Sequence, residues 1–207
     1  MSFRCISSLF DVTPKTASKY FRGFVPLLAD FQNVRAVLDC TEVQLQRSTC
    51  LHCRILTYSH YKGRETVKFL VSVTPGGVFN YVSQGFVGKA SDKFIFNASG
   101  MITMFDEGDS IMVDKGFAIS NELSQHRLEM IRPPLLQGEQ LSTEEAKQNA
   151  SIARARVHVE RSIQRLKNFN IFTNKFELNL VPFIDDLIII AAGITNLSDP
   201  ILADSRF

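Results

Sequence analysis

Apolar and polar positions change period several times along this chain, and each change marks an element. Ala17, Tyr20, Phe21, Phe24 and Leu28 recur at helical spacing. They follow Thr13-Pro14, a capping residue with a proline suited to a first helical turn. With Ser7-Ser8-Leu9-Phe10 and Asp11-Val12 ahead of it, this predicts two short helices over about the first thirty residues, part of a helix-turn-helix or any small helical hairpin. From Val34 the pattern becomes that of strands: Val34 to about Leu45, Thr66 to Val73 and Val78 to Val82, the last two joined by the turn Thr74-Pro75-Gly76-Gly77. Residues 47–64 between the first two read as loop. Ser91 to Phe105 predicts a helix broken near Ser99-Gly100, Ser110 to Asp114 a fourth strand, Phe117 to Gln125 a short helix and Arg127 to Ile131 a fifth strand. Arg132-Pro133-Pro134 then breaks the chain. Ser142-Thr143-Glu144-Glu145 supplies a capping box for a long helix to about Lys167, whose Ile152, Val159, Ile163 and Leu166 form an apolar stripe. Pro182 opens a last, apolar helix. Three strands, helix, strand, helix, strand and long helix is the order of a ribonuclease-H-like α/β fold, a mixed sheet with flanking helices in which the first and fourth strands are neighbours.

Composition changes this picture little. A chain of 207 residues suits one substantial domain plus a small appendage. A hydrophobic share of 45% and a charged share of 21% are those of an ordinary globular protein, and a net charge of +2 does not by itself announce a polyanion as partner. The distribution says more: Ala146 to Asn168 carries six Lys or Arg (Lys147, Arg154, Arg156, Arg161, Arg165 and Lys167) against one acid, Glu160. Such a helix is either a solvated face or a phosphate-facing surface. Cys50-Leu51-His52-Cys53 has the C-x-x-C spacing, but no second pair follows at zinc-finger distance, which favours reduced, incidental thiols together with Cys5 and Cys40. No signal peptide is expected. Leu187 to Leu197 is too short to span a bilayer and reads as a buried helix, so no membrane partner is expected.

Four acids then draw the eye. Asp39 closes the apolar run from Val34, Asp92 follows Ser91 at the mouth of a helix, Asp114 ends the run Ile111-Met112-Val113, and Glu160 lies within the basic helix. Each has a plain structural explanation. Asp favours turns at strand ends, Asp92 suits a helix N-terminus, and Glu160 can pair on the surface with Arg156 four residues away. Taken together they suit hard divalent cations, because carboxylates at strand ends and on one helix can converge on an ion from distant parts of the chain. Arg156, Glu160 and Lys167 share one helical face, so cations able to grip phosphates flank the acid.

The motifs around these acids are similar to those of eukaryotic PIF/Harbinger-like DDE transposases. They are Leu38-Asp39-Cys40-Thr41-Glu42-Val43, Tyr58-Ser59-His60-Tyr61-Lys62-Gly63 with Thr66-Val67-Lys68, and Gly88-Lys89-Ala90-Ser91-Asp92-Lys93. Gly108-Asp109 through Asp114-Lys115-Gly116-Phe117, the run from Ala153 to Arg161, and Arg165-Leu166-Lys167 complete the series. The resemblance covers roughly residues 34–200, and it is closest to a branch that often carries a THAP-type zinc finger upstream. It implies a ribonuclease-H-like nuclease domain over 33–207, preceded over 1–32 by a partial helix-turn-helix remnant. It also implies magnesium or manganese as cofactor, DNA as substrate and the nucleus as location. Asp39, Asp114 and Glu160 are the implied catalytic triad, with Asp92 as a fourth metal ligand and Arg156, Arg161, Arg165 and Lys167 on DNA phosphates. The R-x-x-x-E-x-x-x-x-x-x-K pattern of related bacterial insertion-sequence transposases is present as Arg156, Glu160 and Lys167, but Ala153 stands where that pattern has tyrosine. The short front end implies weak specific recognition, a separate DNA-binding partner protein and the possibility of a homo-oligomer.

The leading expectation is thus an endonuclease or transposase domain that cleaves phosphodiester bonds at transposon ends by two-metal chemistry. A domesticated or degenerate non-enzymatic module that binds DNA or protein on the same fold is the rival, favoured by the short front end as the intact carboxylates favour the enzyme. A different metal nuclease on this scaffold is fold analogy alone.

Overall fold

A computed structural model of the chain describes residues 34–114, 116–133 and 143–198, together with Thr13 and Lys15. The expected front helices and the Ser142 cap lie outside the described residues. Strand β1 (Val34–Gln44) is the axis of a seven-stranded mixed sheet. The other strands are β2 (Tyr58–Ser59), β3 (Arg64–Val73), β4 (Phe79–Val82), β5 (Phe86–Val87), β6 (Ser110–Val113) and β7 (Glu129–Ile131). The order is β2-β3-β1-β6-β7, with β4 and β5 also paired to β3. β3 runs antiparallel to β1, whereas β6 runs parallel to β1 and β7 parallel to β6. This is the expected ribonuclease-H-like arrangement.

Alternation along the strands divides the core in two. Val37 and Val43 of β1, Val67, Phe69, Val71 and Val73 of β3 and Met112 of β6 face one side. There they meet Ile152, Val159, Ile163 and Leu166 of helix α4 (Thr143–Lys167) and Ile184, Ile188, Ala191 and Ala192 of helix α6 (Ile184–Leu197). Ala36 and Leu38 of β1, Leu70 of β3 and Ile111 and Val113 of β6 face the other side. They are covered by Ile95 and Phe96 of helix α2 (Asp92–Ala98) and Leu123 of helix α3 (Ser120–Gln125). The apolar stripe read from the sequence of α4 is therefore the one that packs on the sheet.

Several elements differ from expectation for identifiable reasons. The 47–64 segment, expected as loop, contains helix α1 (Leu51–Thr57) and β2. None of the α1 residues is buried, so no inward stripe marks it in the sequence. It is held instead by the Cys50 cap and by Lys89 N, which donates to Leu56 O at 3.2 Å. The helix from Ser91 ends at Ala98, and Met101–Met104 forms a separate 3-10 turn. Gly100 at the break has φ +67°, where a side chain would be strained. α3 starts at Ser120, since Phe117 and Ile119 are buried in the incoming loop. The helix begun near Pro182 is a 3-10 turn, Leu178–Phe183, running into α6. A short helix α5 (Asn170–Thr173) joins α4 to that turn. Leu178–Leu197 is long and apolar enough to cross a membrane by length and composition. One side of α6 is buried in the core as expected, but Ile189, Ile190 and Ile194 on the other side are exposed.

Gly88 shows how closely α1 is seated. Its N–H donates to Thr66 O at 3.0 Å, and a Cβ there would overlap the Thr57 carbonyl oxygen and Thr66 Oγ1. Gly88→Ala is expected to cost about 1–3 kcal/mol, read from the urea midpoint, because backbone must move to admit the methyl group. Gly76→Ala, whose nearest neighbour would be 3.8 Å away, is expected to leave the midpoint nearly unchanged.

Candidate active site

The parallel ladder between β1 and β6 ends where the candidate acids begin. Leu38 pairs with Val113, so the next residues, Asp39 and Asp114, come side by side where β6 ends, while β1 runs on and Asp39 stays paired with Val71 of β3. Val37 and Met112 face α4, and alternation returns Asp39 and Asp114 to that same side. α4 crosses there with Ile152 and Val159 buried, and Arg156 lies between them in sequence. Arg156 donates from Nη1 to Asp114 Oδ1 at 2.6 Å, and its Nη2 lies 3.8 Å from Glu160 Oε1. The Arg156 side chain is 18% exposed and that of Glu160 is 61% exposed, so the pair runs from the sheet surface outward to solvent.

Asp39 is the electrostatically strained member. Burial pushes its carboxyl up from 3.8 to about 6; the charge of Arg156 and the Cys40 N–H, which donates to Asp39 Oδ1 at 2.8 Å, pull it down, while Asp114 and Asp92 push it further up. Lys167, half-buried at the end of α4, feels the opposite pressure. Burial and then the charge of Lys62 lower its pKa, against the raising influence of Asp39 and Glu42. Both cations of the sequence pattern Arg156, Glu160, Lys167 thus act on Asp39 by their charge.

The remaining predicted residues are placed as follows. Asp92 opens α2 behind the Ser91 cap, whose side chain accepts from Phe94 N. It bonds Lys68 Nζ at 3.3 Å. Lys68 also lies 3.7 Å from Glu42 Oε1 and donates to Ala90 O at 3.1 Å. Glu42 and Lys68 are cross-strand partners. Their alternation puts them with Cys40 on the α2 side, opposite to Asp39, and burial and then Asp92 push the Cys40 thiol up. Arg161 is exposed and Arg165 half-buried on α4.

The structure therefore gathers Asp39 and Asp114 on one face and joins Glu160 to them through Arg156, while Asp92 stands in a separate ion pair. Among the described residues, no three His, Cys, Asp or Glu side chains form a group able to hold a metal ion. The donor set nonetheless fits a divalent cation in its chemistry. Hard oxygens are what magnesium and manganese prefer, and a carboxyl whose pKa is raised chiefly by burial, with Asp114 and Asp92 adding to it, is a charge that such an ion relieves. Sequence reasoning missed Lys68 as the cation that Asp92 shares with Glu42. Only the β1–β3 register, which sets Glu42 across from Lys68, would have revealed them.

No curated protein and no solved structure matches the chain. A family model described as DDE superfamily endonuclease matches residues 38–196, which begin one residue before Asp39 and run through Asp114 and Glu160 to the end of α6. With the match covering well over half of its length, the chain belongs to the DDE superfamily endonuclease family.

Proposed function

We propose that this chain is the catalytic domain of a metal-dependent DNA endonuclease of the transposase type, of the PIF/Harbinger-like branch, which cuts phosphodiester bonds at transposon ends. The observation that carries the reading is the side-by-side placement of Asp39, within β1, and Asp114, just past the end of the parallel β6, with Arg156 of the helix that bears Glu160 bonded to Asp114. In this reading Asp39, Asp114 and Glu160 hold magnesium or manganese ions, with Asp92 as a fourth ligand once released from Lys68. The ions, when bound, supply the charge that activates the attacking oxygen and stabilises the leaving one. The chain's own residues do the rest. The continuous strand β1 fixes Asp39, the end of β6 fixes Asp114, and Arg156 orients Asp114 until an ion takes its place. Arg161, Arg165 and Lys167, with Arg156 once displaced, neutralise phosphates along α4. Such an enzyme would work in the nucleus, with a second copy or a separate DNA-binding protein supplying recognition of the ends.

A second reading has one observation in its favour. Arg156 already neutralises Asp114, which is how a non-enzymatic descendant of the fold would settle its acids. The two readings part on catalysis. Asp39→Asn, Asp114→Asn and Glu160→Gln are each expected to reduce magnesium- or manganese-dependent nicking of duplex DNA at least a hundredfold, with unfolding still cooperative. Wild-type protein that nicks no DNA with either ion, or variants that nick as well as wild type, would sink the catalytic reading.

The titration of Asp39 gives a second measurement. Its folded pKa, about 6, lies above the usual 3.8, so the folded state holds its proton more tightly than the unfolded state. Stability from this group is full below about pH 4 and is lost as pH rises through about 6. In metal-free buffer, Asp39→Asn should therefore melt higher than wild type at pH 7.5 by an amount on the order of 1–3 kcal/mol, with the difference closing towards pH 4. Magnesium should raise the melting temperature of wild type at pH 7.5 and leave that of Asp39→Asn nearly unmoved. An equal metal response in both proteins counts against Asp39 as a ligand.

For the basic helix, Arg161→Ala is expected to weaken binding about equally for unrelated duplex sequences. The slope of log K against log salt should become shallower by roughly one. A loss confined to one sequence would mean that Arg161 reads bases.

A further inference from the structure

Between α1 and the β2–β3 edge lies a groove of about 520 Å³ that the candidate active site does not use. Three cations line it, Arg47, Arg54 and Lys89, and so do two rings, Tyr58 and His60. The rings stand edge to face with centroids 5.4 Å apart, and both are exposed. The one lining carboxylate, Glu65, lies 3.8 Å from Arg47 Nε and 3.7 Å from Arg54 Nε, too far for hydrogen bonds. Arg54 Nε has no hydrogen-bond acceptor at all. Three cations against one anion leave the groove positively charged. Its floor is held in place by backbone rather than packing, since Lys89 N is tied to Leu56 O and α1 buries none of its residues.

After His60 the chain exposes Tyr61, 85% accessible, with Lys62 Nζ 4.6 Å from its ring centroid. A ring and a cation thus extend the lining along the chain.

We propose that this groove binds an unpaired DNA strand, its bases stacked on Tyr58 and His60 and its phosphates paired with Arg47, Arg54 and Lys89. The proposal rests on DNA as the substrate and adds the form of the strand. Duplex DNA would satisfy the cations but not the rings, because its base faces are already stacked inside the helix. An unpaired strand offers both phosphate charge and free base faces, the combination that aromatic-lined cationic grooves recognise. An acidic protein surface, like a duplex, would leave the rings without stacking partners.

The test uses the full chain and fluorescence anisotropy in EDTA, so that no cutting intervenes. One probe is a blunt duplex, and the other is the same duplex with an oligothymidine overhang. The overhang is expected to tighten binding about tenfold, within what one or two base–aromatic stacks provide. Tyr58→Ala with His60→Ala should remove that gain and leave blunt-duplex affinity in place. Tyr58→Phe with His60→Phe should keep it, which separates stacking from a general disturbance of β2. Equal binding of both probes by wild type, or a gain that survives the alanine pair, would overturn the proposal. If either occurs while metal-dependent nicking of blunt duplex persists, only this groove has been misassigned. Failure to bind either probe would overturn the DNA reading as well.

Discussion

Everything at the candidate site depends on one register, that between β1 and β6. The ladder starts with Val34 beside Ser110, but Ala36 and not Arg35 stands beside Ile111, so β1 holds one extra residue there. Without that irregularity the pairing would bring Leu38, not Asp39, beside Asp114. With it, the two acids stand side by side and turn to the same face. A one-residue slip in a strand exchanges its two faces, and here it would send Asp39 to the side of Glu42 and Lys68. The apolar residues on both sides of β1 prevent this, since a slip would also exchange Val37 and Leu38 between two separate cores.

That placement creates an electrostatic problem as well as a site. Asp39 is penalised by burial and by the nearby acids, and Arg156 is the principal compensation. Arg156 reaches inward because α4 buries the residues around it, and its guanidinium bonds Asp114 while reaching towards Glu160. A divalent ion and this guanidinium would answer the same negative charge, so metal binding and arginine displacement are one equilibrium in the proposed mechanism. On the other face the charges are already settled. Lys68 satisfies Glu42 and Asp92 together, and burial keeps the Cys40 thiol protonated. Asp92, though paired with Lys68, still acts on Asp39 by its charge.

What the sequence revealed follows from how local each signal is. β1, β3, β4 and β6 are legible because their apolar runs and the Thr74–Gly77 turn are complete within a few residues. The buried stripe of α4 is legible because its period is sustained over four turns. α1 was not, because a helix that buries nothing leaves no stripe. At the site, Asp39, Asp114 and Glu160 stood out by context, and the side-by-side position of the first two follows from strand order. The bond from Arg156 to Asp114 spans 42 residues, and only the packing angle of α4 decides it. The sequence offered Glu160 as the partner of Arg156, yet the shorter contact is to Asp114. Asp92 was the hardest to place, since nothing near it in the chain says which face of the sheet α2 covers.

Among the long-range ties of the C-terminal third, three reach β4 and the loops on either side of it. Ser162 of α4 donates to Gly77 O, Asp185 accepts from Gly85 N, and Asn196 both accepts from Phe79 N and donates to Phe79 O. The last pair spans 117 residues and fastens α6 to the backbone of the short strand β4. Until α6 has left the ribosome, β4 and the apolar face beneath it lack their cover, and a bare strand edge invites pairing with other chains. Contacts this distant also slow folding, because a long loop must close before they form. The strands are therefore synthesised before the helix that covers them, and the apolar side of β4 stays open until the chain has been made through α6.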